Sequence, residues 1–227
     1  MLFRSPGCCG PLSDRNPMKT ELYLRSGVAI PTGNGPLGDS LDVGWAIQGG
    51  GRSLFFNHAG DAAWTFDLGM TNIHNVADDT PATVTLLNIP TVDPTTQQRT
   101  VLPSVRATVR SLNRTYVNLG AGREWYLFGG AAGTRDTPSP ASWRIGVDGG
   151  GRYGTAKVDF FEIRHRTDTI GAAYAAAHTD LDLPCGCCIF QIGFRAEFDY
   201  TWSDILQIQN KSDVLTTNLM INLGVRY

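Results

Sequence analysis

From Thr20 onward the chain is dominated by apolar and polar residues alternating with a period of two, the spacing of strands whose two faces meet different surroundings. The longest run is Phe190 to Trp202. One face reads Phe190, Ile192, Phe194, Ala196, Phe198, Tyr200 and Trp202; the other reads Gln191, Gly193, Arg195, Glu197, Asp199 and Thr201. At roughly 3.3 Å per residue, such a strand, once tilted, crosses the apolar band of a bilayer. The C-terminal run repeats the pattern, with Leu215, Leu219, Ile221, Leu223, Val225 and Tyr227 sharing one side with Thr217, and Thr216, Asn218, Asn222, Gly224 and Arg226 sharing the other with Met220. Shorter runs over Thr20–Ile30, Leu41–Gly49, Ala62–Thr71 and Trp143–Gly149 alternate in the same way.

Other stretches are less regular. Arg106 to Leu127 holds one long strand or two short ones, Ala156 to Ile163 another, and alanine-rich Ile170 to His178 suits a helix or a strand. Val76 to Pro103, with Pro81, Pro90, Pro94 and Pro103 among many threonines, reads as a surface loop. The expectation is an all-β, antiparallel, up-and-down transmembrane β-barrel of about eight strands, with ten if the irregular stretches pair. Residues 1–19 read as an irregular extension and 20–227 as the barrel domain. Gly49-Gly50-Gly51-Arg52 and Gly149-Gly150-Gly151-Arg152 form a faint repeat, each tract read as ending a strand.

Composition sharpens this picture. Only 18% of the 227 residues are charged, against roughly 25% in soluble domains. The net charge of -2 leaves no basic excess for nucleic acid. No run approaches the roughly 18 apolar residues of a membrane-spanning helix. A barrel needs none, because only alternate residues meet lipid. Export requires a signal segment, and none is legible after Met1 or Met18, so one is expected upstream.

A soluble sandwich or barrel domain, secreted and binding a ligand through its loops, shares the alternation. Two features favour lipid. Charged residues occupy mid-strand positions on the polar face, where they can pair across a narrow lumen. Aromatic residues stand at strand ends, as in interfacial girdles. The expected lumen network comprises Arg25, Asp67, Arg144, Asp148, Arg195, Glu197, Asp199 and Arg226. An eight-strand barrel is roughly wide enough only for its own side chains, so a narrow, filled interior with a structural or transport-related role is expected.

The segment Leu219-Met220-Ile221-Asn222-Leu223-Gly224-Val225-Arg226-Tyr227 resembles the terminal strand of bacterial outer-membrane barrels. The resemblance implies an outer-membrane location, a lipid bilayer as surroundings and recognition by the barrel-assembly machinery through Leu223, Val225 and Tyr227. Leu112–Leu119, Gly122–Tyr126, Glu162–Asp168 and Pro184–Cys188 resemble uncharacterised barrel proteins of planctomycete-type bacteria, which brings no activity.

Other motifs add little chemistry. Gly33 to Gly38 fits a dinucleotide fingerprint, but Pro36 and the following strand leave no room for the helix it needs, so it reads as a turn. Cys8, Cys9, Cys185, Cys187 and Cys188 lack the spacing of common zinc sites; disulfides are favoured over a soft-metal site or free thiols. His58, His74, His165 and His178 are scattered and read as loop or interface residues. No nucleophile–base set is legible, and neither an enzyme nor a cofactor is expected; any small-molecule ligand is left unspecified.

Overall fold

A computed structural model describes residues 18–33, 35, 37–79, 83–92, 95–128, 141–163, 165–185, 188–202 and 213–226. Among these residues the strands are β1 (Met18–Pro31), β2 (Gly44–Phe56), β3 (Ala62–Val76), β4 (Thr83–Val92), β5 (Arg99–Phe128), β6 (Ser142–Phe160), β7 (Arg166–Cys185), β8 (Cys188–Trp202) and β9 (Val214–Arg226). All neighbouring pairs are antiparallel. Eight strands close into a barrel in the order β1, β2, β3, β5, β6, β7, β8, β9, with β9 returning to β1 at Glu21↔Arg226 and β3 pairing β5 at Leu68↔Leu119. Closure leaves no free edge in the barrel wall and removes the sandwich alternative.

Side-chain parity decides what faces where. Over most of the barrel's height the strands turn their polar positions inward and their apolar positions outward, the reverse of a soluble barrel. Leu22, Leu24, Trp64, Phe66, Leu68, Met70, Leu119, Phe194 and Phe198 are all exposed on the outside, while Arg52, Arg114, Arg144 and Arg195 are among the largest fully buried side chains. A soluble domain does not expose so continuous an apolar surface. The outer surface is edged by two aromatic rows. At the end where β1 begins stand Phe55, Trp64, Trp125, Phe128, Trp143 and Phe190; at the opposite end stand Trp45, Tyr153 and Trp202. Trp143 and Tyr153 are ten residues apart on β6, which at roughly 3.3 Å per residue and a tilt near 40° gives about 25 Å, the height of the apolar band of a membrane barrel. No helix among the described residues is long and apolar enough to cross a membrane.

Several strand boundaries differ from those read in the sequence. Trp143–Gly149 and the Ala156–Phe160 part of Ala156–Ile163 belong to one strand, β6, with 161–163 in the turn after it, and Ile170–His178 lies within a strand, β7. β7 is thus the sixth barrel strand, and Cys185 and Cys188, paired where β7 meets β8, lie at the end where β1 begins. The glycine tracts sit in mid-strand instead of ending strands. Inward-facing Gly50, with its β3 partner Gly69, makes room for an aromatic ring, since a Cβ on either meets the Tyr23 hydroxyl at 2.7 Å. The stretch Val76–Pro103 is no loop: β4 pairs with the first part of β5 in a hairpin beyond the barrel. Pro90 fits, because β4 is an edge strand of the sheet.

Candidate functional site

The lumen is filled from both ends by different chemistry. At the end away from the termini it is apolar. Ala29, Ala46, Ile73, Leu112, Val158 and Ile170 from the barrel wall pack with Leu37 and Leu41 of the β1–β2 connection. The inward face of the hairpin, Val84, Leu86, Ile89, Ala107 and Val109, folds over them as a lid. Glu162, in the turn after β6, ties the hairpin down by accepting from the Thr108 N–H at 2.7 Å and the Thr108 hydroxyl at 2.6 Å. These bonds hold its carboxyl below the usual glutamate range.

Below the apolar plug the interior is a continuous charge network. Among the described residues seven arginines are buried there: Arg25, Arg52, Arg114, Arg144, Arg152, Arg195 and Arg226. Eight carboxylates face them: Glu21, Asp67, Glu124, Asp148, Asp180, Asp182, Glu197 and Asp199. His178 is the eighth buried nitrogen base, so an imidazolium there equalises the two signs. The pairs are close. Arg52 grips Asp67 through two bonds of 2.8 and 2.9 Å and reaches Glu124 at 2.5 Å. Arg144 bonds Glu124 at 2.6 Å and stands 3.0 Å from Glu21. Arg195 holds Asp148 at 2.6 and 2.7 Å, and Arg152 joins Glu197 at 2.7 Å and also pairs with Asp199. Arg226 bonds Asp182 at 2.5 Å and the Tyr126 hydroxyl at 2.6 Å. The centre is His178, whose Nε2 lies 3.2 Å from Glu124 and whose Nδ1 lies 3.3 Å from Asp148. Arg25 differs: it donates to Gln48 at 2.8 Å and stacks 3.7 Å from the centroid of the Tyr23 ring. Ions taken out of water are costly unless paired and hydrogen-bonded, and nearly every one here has partners on at least two strands.

All eight residues named for the lumen from the sequence lie inside, buried. Sequence reasoning missed Glu21, Arg52, Arg114, Glu124, Arg152, Asp180, Asp182 and His178. Parity was the available signal: Glu21 shares a face with Arg25, and Arg152 with Arg144 and Asp148. Apart from Glu21, which lies inside a run already read as a strand, the misses fall where a strand boundary was misplaced or left open. His178 is thus neither a loop nor an interface residue, because its strand brings it between Glu124 and Asp148. Leu223 and Val225 face outward on β9, while Tyr227 lies outside the described residues. Cys185 and Cys188 pair across the β7–β8 turn as free thiols, so no disulfide exists among the described residues; Cys8, Cys9 and Cys187 lie outside them.

A shallow concavity of about 530 Å³ opens on the outer wall above the upper aromatic row, lined by His74, Arg110, Ser111, Asp159, Ile163 and His165 among others. Among the described residues no group of three or more histidine, cysteine or acidic side chains has metal-binding geometry.

This is the architecture of a transmembrane β-barrel with one additional, projecting strand. No family model matches the chain, and no curated protein matches it. Among solved structures it is similar to Ail, the attachment invasion locus protein of Yersinia pestis, crystallised with the heparin analogue sucrose octasulfate. The identity is 12%, the TM-score 0.42, and the match covers 92% of this chain and 97% of Ail. It is also similar to the translocator domain of the autotransporter NalP from Neisseria meningitidis (14% identity, TM-score 0.22, 92% and 87% covered). A mutant porin of Rhodopseudomonas blastica is a third (9% identity, TM-score 0.17, 91% and 99% covered). None of these comparisons supports the narrower resemblance to planctomycete-type barrels.

Proposed function

We propose that this chain is a non-enzymatic outer-membrane barrel whose lumen stays closed, and whose role is to anchor the β4–β5 hairpin at the membrane surface. The observation that carries the reading is the double filling of the interior, with paired ions on the termini side and an apolar plug under the hairpin lid on the other. A solute path has to break both. The short turn at 57–61, at the termini end, and the longer hairpin connection, at the other, follow the usual division between periplasmic turns and surface loops. Leu223, Val225 and Tyr227 belong to the segment we take as the signal for the barrel-assembly machinery, on the resemblance of β9 to terminal barrel strands.

Trypsin added to intact cells tests the anchor reading, because Arg99 and Arg106 are exposed on the hairpin. Cleavage there, with the barrel wall left protected, is the expected result. Cleavage confined to disrupted cells contradicts it.

A further inference from the structure

We propose that Arg123, set between Trp64 and Trp125 on the outside of the barrel, holds the phosphodiester of a phospholipid headgroup in the leaflet on the side of the chain termini. The inference rests on the barrel's being embedded in a bilayer and adds to it a defined lipid site.

Arg123 is out of place by parity. Its neighbours on the outer face of β5 are Val117, Leu119, Ala121, Trp125 and Leu127. Among the described residues it is the one charged side chain that points outward between the two aromatic rows. An arginine facing lipid costs about 2–4 kcal/mol at mid-bilayer and near zero at the interface, so its height matters. Trp64 is its cross-strand partner on β3, and Trp125 stands two residues along β5. Both belong to the lower aromatic row, where indole rings sit at headgroup level. The guanidinium carbon lies 5.0 Å from the Trp64 ring centroid and 5.8 Å from that of Trp125, within cation–π range of both.

No described carboxylate pairs with this cation. Arg123 has no ion pair among the described residues, and its Nε is shut away from solvent without a hydrogen-bond partner. This sets it apart from the interior arginines, which are matched by carboxylates. With both rings within reach of the guanidinium and no described carboxylate paired with it, its charge is left for an outside acceptor. A planar fork of donors fits the two unesterified oxygens of a phosphodiester, which bilayers supply at this height in every phospholipid.

The test uses the full chain folded into dioleoylphosphatidylglycerol bilayers and extracted into dodecyl maltoside, which contains no phosphate. Native mass spectrometry then counts retained phospholipid. One lipid should stay with the wild type, Arg123→Gln should retain it about tenfold less, and Arg123→Lys and Trp125→Leu should fall between. Excess inorganic phosphate should not displace the lipid. Equal retention in wild type and Arg123→Gln overturns the site, and displacement by inorganic phosphate overturns a lipid as its occupant. If Arg123→Gln does not fold, Arg123→Lys and Trp125→Leu carry the comparison, and retention equal to wild type in both overturns it. Failure of the wild type to fold into bilayers at all is a separate outcome that contradicts the barrel reading.

Discussion

Arg195 on β8 grips Asp148 on β6 through two parallel hydrogen bonds of 2.6 and 2.7 Å, reaching past β7, the strand that lies between them. The same guanidinium bonds Glu197 at 2.9 Å. Replacing Arg195 with methionine leaves two buried carboxylates short of their cation, and should destabilise the barrel by about 3–5 kcal/mol. Asp148→Asn in the Arg195→Met background should recover part of that loss. Urea titration in phospholipid vesicles, arranged as a double-mutant cycle, measures the coupling; additive losses contradict a shared network.

The outward face makes a depth-dependent prediction. Ala196 sits midway between Phe190 and Trp202 on β8. Ala196→Arg should cost about 2–4 kcal/mol in a bilayer, whereas Thr155→Arg, above the row containing Tyr153, should cost less than about 1 kcal/mol. Equal costs in the same unfolding assay show that the band is misplaced.

Adjacent glycines on β6 should behave oppositely. A Cβ at Gly150 meets the backbone of Leu119 and Gly120, the latter at 2.7 Å, while one at Gly151 meets nothing within 4 Å. Gly150→Ala should destabilise by about 1–3 kcal/mol through overpacking. Gly151→Ala should be neutral or slightly stabilising, since it restricts the unfolded chain. The difference in unfolding midpoints between the two variants checks this.

The fold was legible wherever both faces of a strand carry side chains. β8 shows its lipid face and its lumen face in every residue from Phe190 to Trp202, so parity alone assigned Arg195, Glu197 and Asp199 to the interior. The pattern broke where glycine or alanine replaced the marker residues. On β6, Gly149 and Gly151 face lipid and Gly150 faces the lumen, and the missing side chains made one strand look like two, hiding Arg152. Over the stretch before His178 on β7 the outward residues are Gly171, Ala173, Ala175 and Ala177, too small to mark a lipid face, which concealed His178. The hairpin was hidden by its prolines, which argue against a central strand but not against an edge. The plug was hidden because it assembles apolar residues from most of the barrel strands and from the hairpin, none of which forms a run in sequence.

The latch at Glu162 is pH-sensitive by a simple argument. Its carboxyl titrates below the usual range in the folded chain because Thr108 donates to its ionised form. A group depressed in this way contributes fully above its unfolded value, and the contribution disappears as pH falls through the folded value. Hydrogen exchange at the Thr108 amide should therefore stay slow through mildly acidic pH and accelerate only below the ordinary glutamate range. Glu162→Gln should raise the exchange rate at neutral pH. Unchanged exchange in that variant removes the latch.

Single-channel recording in planar bilayers tests the central claim most directly. Opening a path needs the separation of pairs such as Arg52–Asp67 and Arg195–Asp148 and also the displacement of Ile73, Leu112 and Val158 under the hairpin. The wild-type barrel, reconstituted at neutral pH, should give no steady conductance above the bare bilayer. Large, stable conductance steps contradict the closed lumen and mark the chain as a pore.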